Sequence, residues 1–287
     1  MLASHVLELL RKLQNPNFKF FHRNAKQLLA VNYFEKKVVE IYEVKEQECL
    51  LLQKLPFKKR VLKLFQDGEH IYFIDKFGDA YRSEFDILAQ TVGNGNPIQE
   101  EKASEVDKRV QLITNFFAQT IELYCSNNDP FIILTDDYYK IKIVEKTNLQ
   151  RIARVSSIRP FFARRILKIS STFLLFFDDF KVLPVPEQSL FSLEREFKES
   201  DLVELCAKSF DSFFESVELI EDGRVLAIKH NKEKKTLNLL FLDYLIEQRA
   251  FIVSKEAFLE NVESDFFLVE SDRIHLINDS IMFKDLK

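Results

Sequence analysis

The chain has 287 residues, 46% of them hydrophobic and 30% charged, with a formal net charge of −4. Length and apolar content suffice for a sizeable core and exclude a disordered chain. The acidic balance excludes a protein whose whole surface tracks nucleic acid, and the 5 glycines exclude a glycine-rich phosphate loop.

Read in chain order, the dominant pattern is strand, tight polar turn, strand. Residues 28–31 and 38–42 form the first such hairpin, and 71–74 with 80–81 the second, around the turn Asp75-Lys76-Phe77-Gly78-Asp79. The third pairs 131–134 with 141–144 across a turn at 136–139, and the fourth pairs 173–177 with 180–185. The fifth pairs 225–228 with 237–242, and the sixth 266–269 with 274–277. Successive hairpins lie roughly 40 to 60 residues apart, the spacing of four-stranded propeller blades with loop insertions. Residues 60–65, 111–116, 164–169 and 215–220 read as inner strands of those blades. The stretch 90–108, with Gly93, Gly95 and Pro97, reads as a loop insertion. The stretch 188–210 has helical apolar spacing at Leu190, Leu193, Phe197, Leu202 and Leu205, and reads as a helical excursion. Neither resembles a linker, so residues 1–287 are expected to form a single β-propeller domain. The 29 phenylalanines suit strands and packing between blades.

The three cysteines, Cys49, Cys125 and Cys206, are far apart and form no CxxC pair. Free thiols in a reducing compartment are expected. Met1 to Leu13 lack the apolar centre of a signal peptide, and no apolar run approaches the roughly 18 residues of a membrane span. A soluble intracellular protein is expected, without membrane partners.

Catalytic signatures are missing from the sequence. His5, His22, His70, His230 and His275 stand singly, without metal-ligand spacing. There is no GxSxG, and Gly93-Asn94-Gly95 has no βαβ context for a cofactor. The acid pairs Asp136-Asp137 and Asp178-Asp179 fall at hairpin turns and read as turn formers. No catalytic residue, metal or bound cofactor is therefore expected.

Three features suggest contacts. In the second hairpin Gly78 can adopt the positive φ of a tight turn while Asp75 or Asp79 bonds turn amides, leaving Lys76 to face a partner or solvent. Lys140 and Lys142 alternate with Ile141 and Ile143, which places both lysines on one strand face, read as the solvated one. Between Glu145 and Asp178 there is no acid, while Lys146, Arg151, Arg154, Arg159, Arg164, Arg165 and Lys168 all fall there. A positive patch facing an acidic partner or phosphate groups is the corresponding expectation.

The second and third hairpins resemble a known family. Ile74-Asp75-Lys76-Phe77-Gly78-Asp79-Ala80-Tyr81 is similar to the ADKFGDVY signature of the non-catalytic WD-repeat subunit of eukaryotic tRNA (guanine-N7)-methyltransferase. Phe57-Lys58-Lys59-Arg60 resembles the Phe-Ser-Lys-Arg before that blade in fungal members, and 132–143 match the spacing of IITSDRDEHIKIS. Ile158-Arg159-Pro160-Phe161-Phe162 stands where the family has a Gly-His-x-x-Phe-Val turn. The resemblance covers about residues 50 to 180. The chain departs from the family at Tyr138-Tyr139, lacks Gly-His and Trp-Asp dipeptides, and shows six legible hairpins where the family has seven blades. Met1 to Gln14 would stand as the remnant of a first blade.

The resemblance implies a WD40-like propeller of six or seven blades that binds and stabilises a Rossmann-type catalytic subunit as a heterodimer. S-adenosylmethionine would sit on that partner, tRNA would be held mostly through it, and the complex would make N7-methylguanosine in the tRNA variable loop. The implied location is the nucleus, with the cytoplasm as a second site. Lys142 and Arg159 would bear on the assembly, Arg159 by pairing with a glutamate of the catalytic subunit. A generic propeller adaptor in a trafficking or ribosome-assembly complex, and an enzyme on a propeller scaffold, are the other readings.

Overall fold

The structure of the chain is a computed structural model, which describes residues 18–24, 27–32, 38–44, 49–57, 59–67, 70–84, 99–100, 110–113, 119–126, 128–137, 140–157, 163–177, 181–191, 196–197, 201–204, 216–220, 224–231, 233–262, 267–269, 273–276 and 279–286. These residues form six sheets. β1 (Phe18–Asn24), β2 (Gln27–Asn32), β3 (Val38–Val44) and β4 (Cys49–Pro56) make the first, and β5 (Val61–Asp67), β6 (His70–Asp75) and β7 (Ala80–Glu84) the second. The chain then adds β8 (Gln99–Glu100) parallel to β4 and β9 (Val110–Leu112) antiparallel to β7.

The third sheet runs β10 (Thr120–Tyr124), β11 (Phe131–Asp136), β12 (Lys140–Glu145), β13 (Arg151–Ser157). The fourth runs β14 (Ala163–Ile169), β15 (Thr172–Phe177), β16 (Lys181–Pro186). After a one-turn helix, Glu187–Leu190, β17 (Glu196–Phe197) pairs parallel with β13 and β18 (Val203–Glu204) antiparallel with β16. The fifth sheet is β19 (Ser216–Leu219), β20 (Val225–Asn231), β21 (Thr236–Leu245), β22 (Ala250–Leu259), and the sixth β23 (Phe267–Val269), β24 (Arg273–Leu276), β25 (Asp279–Met282). A 3-10 turn, Phe283–Asp285, follows.

Continuous apolar runs such as Phe131–Asp136 and Thr172–Phe177 are buried along their whole length. A strand is buried that way only when both faces of its sheet are covered. The fifth sheet shows how. Val225, Ala227, Leu240 and Leu242 pack with Leu167, Leu174, Phe176 and Val182 of the fourth sheet. The alternate residues Leu226, Ile228, Leu239 and Phe241 pack with Ile274 of the sixth and with Leu286. The period of two thus sends neighbours into opposite layers, each fully buried large side chain contributing about 1.5–3 kcal/mol.

The chain divides into two compact units. One comprises Met1–Thr120, Tyr124–Ile133 and Val144–Gln150, and its core includes Phe73 stacked on Tyr81 at a centroid distance of 5.0 Å and tilted against Phe57 at 4.9 Å. The other comprises Ile121–Leu123, Leu134–Ile143 and Arg151–Lys287, and holds the layers just described.

The first five hairpins read from the sequence each form the middle of one sheet, and the sixth supplies β23 and β24, the first two strands of the last sheet. Residues 60–65, 164–169 and 215–220 supply β5, β14 and β19. Residues 111–116 do not supply an inner strand: β9 closes the second sheet against β7, with Ile113 N donating to Ala80 O at 2.8 Å, and β10 is the inner strand of the third. Of the helical excursion expected at 188–210, the described residues form one turn of helix, β17 and β18, and 192–195, 198–200 and 205–210 lie outside the described residues. Pairing to open strand edges satisfies there the backbone groups that a helix would otherwise satisfy. Of the 90–108 insertion only Gln99–Glu100 is described, as β8.

Candidate functional site

The turn between β6 and β7 is built around Asp75. Its Oδ1 accepts from Phe77 N at 2.8 Å and Asp79 N at 3.1 Å. Its backbone takes part as well: Asp75 N donates to Asp79 O at 2.9 Å, and Gly78 N to Asp75 O at 3.0 Å. Lys59 Nζ lies 3.6 Å from Asp75 Oδ2 and 4.6 Å from the Tyr81 ring centre. The hydrogen bond to Tyr81, foremost, and the nearby acids hold the Lys59 ammonium above its ordinary pKa, while burial opposes them.

Gly78 is needed twice. Its φ is +81°, and a Cβ there would meet Gln119 Cβ at 2.5 Å. Gly78 O also accepts from Thr120 N at 2.7 Å. With the turn fixed from inside, two side chains point out. Lys76 is exposed with its ammonium 4.4 Å over the Phe77 ring, and Phe77 is itself 62% exposed.

The third hairpin differs from its reading as a solvated lysine face. Lys140 is half-buried, and its N–H donates to Asp136 Oδ1 at 3.0 Å. Lys142 is buried, with Nζ 2.7 Å from Asp136 Oδ2. Its charge is turned inward because both faces of that sheet are covered, so period two separates two layers rather than core from water. Tyr138 and Tyr139 lie outside the described residues.

Among the described residues of the acid-free window, Lys146, Arg165 and Lys168 are met by acids. Arg165 donates to Glu218 Oε2 at 2.7 Å and to Val217 O at 3.0 Å. Lys168 pairs with Glu187 at 3.2 Å, and Lys146 pairs with Asp67. Arg151 is exposed. For these three cations the missing acids come from elsewhere in the chain, Asp67 of β5, Glu218 of β19 and Glu187 of the one-turn helix. Arg159, Phe161 and Phe162 fall outside the described residues, as does the side chain of Arg164, whose backbone lies in β14.

Sequence reasoning missed a buried polar network. Asp67 Oδ2 accepts from Tyr72 OH at 3.0 Å and faces Lys146, whose ammonium also donates to Ser126 O. Arg82 donates to Lys146 O and, at 2.6 Å, to Gln111 Oε1. Nearby, Tyr124 OH donates to Asp129 Oδ2 at 2.8 Å. Burial, foremost, and the Asp67 carboxylate push the Tyr72 phenol far above its ordinary range; burial and Asp129 do the same for Tyr124. The one sequence signal was a charge inside or directly after a hairpin strand, Arg82 within β7 and Lys146 just past β12, where burial would demand a partner.

Among the described residues no three metal-ligating side chains gather, and no helix is long and apolar enough to cross a membrane. The carboxylates named above are held in turns or ion pairs.

No protein-family model matches the chain, and no curated protein matches it. Solved structures do. The computationally designed Ika8 protein is similar at a TM-score of 0.53 with 8% identity, over 91% of this chain and 68% of that one. Hsv2 of Kluyveromyces lactis, a yeast β-propeller, is similar at 0.50 with 8% identity, over 85% and 74%. The chain is an all-β protein with a WD40-like β-propeller fold. At such identity the likeness concerns the fold alone.

Proposed function

We propose that the propeller is a non-catalytic scaffold that binds and stabilises a tRNA (guanine-N7)-methyltransferase catalytic subunit. The observation that carries this reading is the Asp75–Asp79 turn. Its sequence resembles the signature of that family, and its geometry separates duties. Asp75 and Gly78 hold the loop together with backbone amides, while the side chains of Lys76 and Phe77 are left outside. A rigid turn displaying a cation against an exposed aromatic ring loses little conformational entropy when a partner docks. Lys140 and Arg159 are the further contacts of this reading, with Arg164 and Arg165 beside them. Lys142 acts indirectly, by fixing the turn through Asp136.

Chemistry belongs to the partner in this account. S-adenosylmethionine sits there, tRNA is engaged mostly through it, and the heterodimer works in the nucleus on the tRNA variable loop. The chain's net charge of −4 fits a minor part in phosphate binding. Reconstitution tests the reading. With tRNA and S-adenosylmethionine, this chain alone transfers no methyl group, and its addition raises the activity of the catalytic subunit. Methyl transfer by this chain alone, or a catalytic subunit indifferent to it, contradicts the reading.

A further inference from the structure

The end of the second sheet that carries the Asp75 turn gathers cations from two segments. Lys76 N donates to Arg60 O at 3.0 Å, which ties the β6–β7 turn to the residues leading into β5. Lys59, Arg60 and Lys76 thus share one end of one sheet, and all three are exposed. Phe77 follows directly. At 62% it is the most exposed large apolar side chain among the described residues.

The acids of the turn are spent inward. Asp75 is buried; its Oδ1 takes two turn amides, and its Oδ2 faces Lys59 at 3.6 Å. Asp79 Oδ2 accepts from Tyr81 OH at 3.2 Å. These two acids are the ones that act on Lys59. The cations are disposed the other way. Lys59 is held between Asp75 and the Tyr81 ring, yet 45% of its side chain stays exposed. Arg60 joins the fold through its backbone oxygen and Lys76 through its backbone amide, so both charged side chains remain outside.

Outward cations over inward acids make a locally positive surface on a chain of net charge −4. Such a surface suits a short anionic segment, which meets only this end of the sheet. A long nucleic-acid strand would also run past the acidic remainder of the chain. Phe77 adds a demand that charge does not meet, because covering an exposed phenyl ring takes an apolar group.

We propose that this end of the sheet receives an acidic peptide segment of the partner subunit, its carboxylates against Lys59, Arg60 and Lys76 and an apolar side chain against Phe77. Lys59 is the charge already in place, since Asp75 and Tyr81 restrict it before anything docks. The planar guanidinium of Arg60 suits a carboxylate held by two parallel bonds. The charges set orientation and the speed of encounter, and the ring slows departure. The inference rests on the scaffold reading and deepens it at the same turn: it names the chemistry of what docks there, whichever enzyme the scaffold serves.

Fluorescence anisotropy with the full chain tests it. The probe is a short labelled peptide in which glutamates flank a single phenylalanine. Its controls are the same peptide with glutamine for glutamate, the same peptide with serine for phenylalanine, and a single-stranded oligouridylate. The glutamate peptide should bind, more weakly as salt rises. Arg60→Gln and Lys76→Gln should each weaken it about two- to fivefold, the reach of one exposed ion pair. Phe77→Ser should weaken it about tenfold, and the serine peptide should lose as much. Urea midpoints of the three variants should match that of the native chain, which separates lost binding from lost fold. No binding, or equal binding of the glutamate and glutamine peptides, overturns the proposal. So does tighter binding of the oligonucleotide that the same variants abolish, which marks an RNA surface. Excess glutamate peptide should also displace a recovered catalytic subunit. Recovery that the peptide leaves unchanged sinks this inference and spares the scaffold reading. Failure to recover a catalytic subunit sinks that reading, and the titration still decides the chemistry of the turn.

Discussion

Lys142 Nζ lies 2.7 Å from Asp136 Oδ2, with both side chains buried, so the third hairpin is closed by an ion pair across its own turn. The remaining carboxylate oxygen takes the Lys140 amide. Removing one partner leaves an uncompensated buried charge, which costs about 3–5 kcal/mol. Lys142→Met should therefore lower the urea unfolding midpoint strongly. The double variant Asp136→Leu with Lys142→Met should recover part of the loss, as measured by a double-mutant cycle.

Gly78→Ala meets two separate obstacles. The positive φ costs an L-residue about 1–2 kcal/mol, and the new Cβ would sit 2.5 Å from Gln119 Cβ. Denaturant unfolding should show a loss above the backbone figure. Gln119→Gly in the same chain should return the difference between the two.

The tyrosines make stability depend on alkaline pH. The Tyr72 and Tyr124 phenols are raised above the ordinary value of 10.0, first by burial. A raised folded-state pKa means that the native state favours the neutral phenol. Its contribution is complete below the unfolded value and is lost as pH climbs toward the folded one. Urea midpoints measured from about pH 8 to about pH 11 should fall above about pH 10, and the fall should be shallower in Tyr72→Phe.

Lys76→Glu and Phe77→Ser should leave the unfolding midpoint unchanged, since neither side chain holds the turn. Both should weaken capture of the catalytic subunit. Arg165→Ala is the contrasting case. Its partly exposed pair with Glu218 should contribute no more than about 1 kcal/mol.

The sheets were legible because apolar runs broken by polar turns are a local property of the chain. Residues 71–81 announce a hairpin wherever they stand. The Asp75 turn was legible for the same reason, its hydrogen bonds spanning only neighbouring residues. Pairings that depend on distant edges were not. β17 becomes a strand because β13 offers it an edge, and its two residues carry no signal against a helical background. The direction of Lys142 was hidden likewise. Alternation names two faces, and only the neighbouring layers decide that neither is water. Lys146 and Asp67 are 79 positions apart in the numbering, so Lys146 read as part of a basic window while its acid lay out of sight in the sequence.

The most direct test of the scaffold account is affinity purification of the full chain from cells, with Lys76→Glu and Phe77→Ser as controls. The account predicts stoichiometric recovery of a tRNA (guanine-N7)-methyltransferase catalytic subunit with the native chain and reduced recovery with either variant. Recovery of coat or ribosome-assembly factors in its place would contradict it.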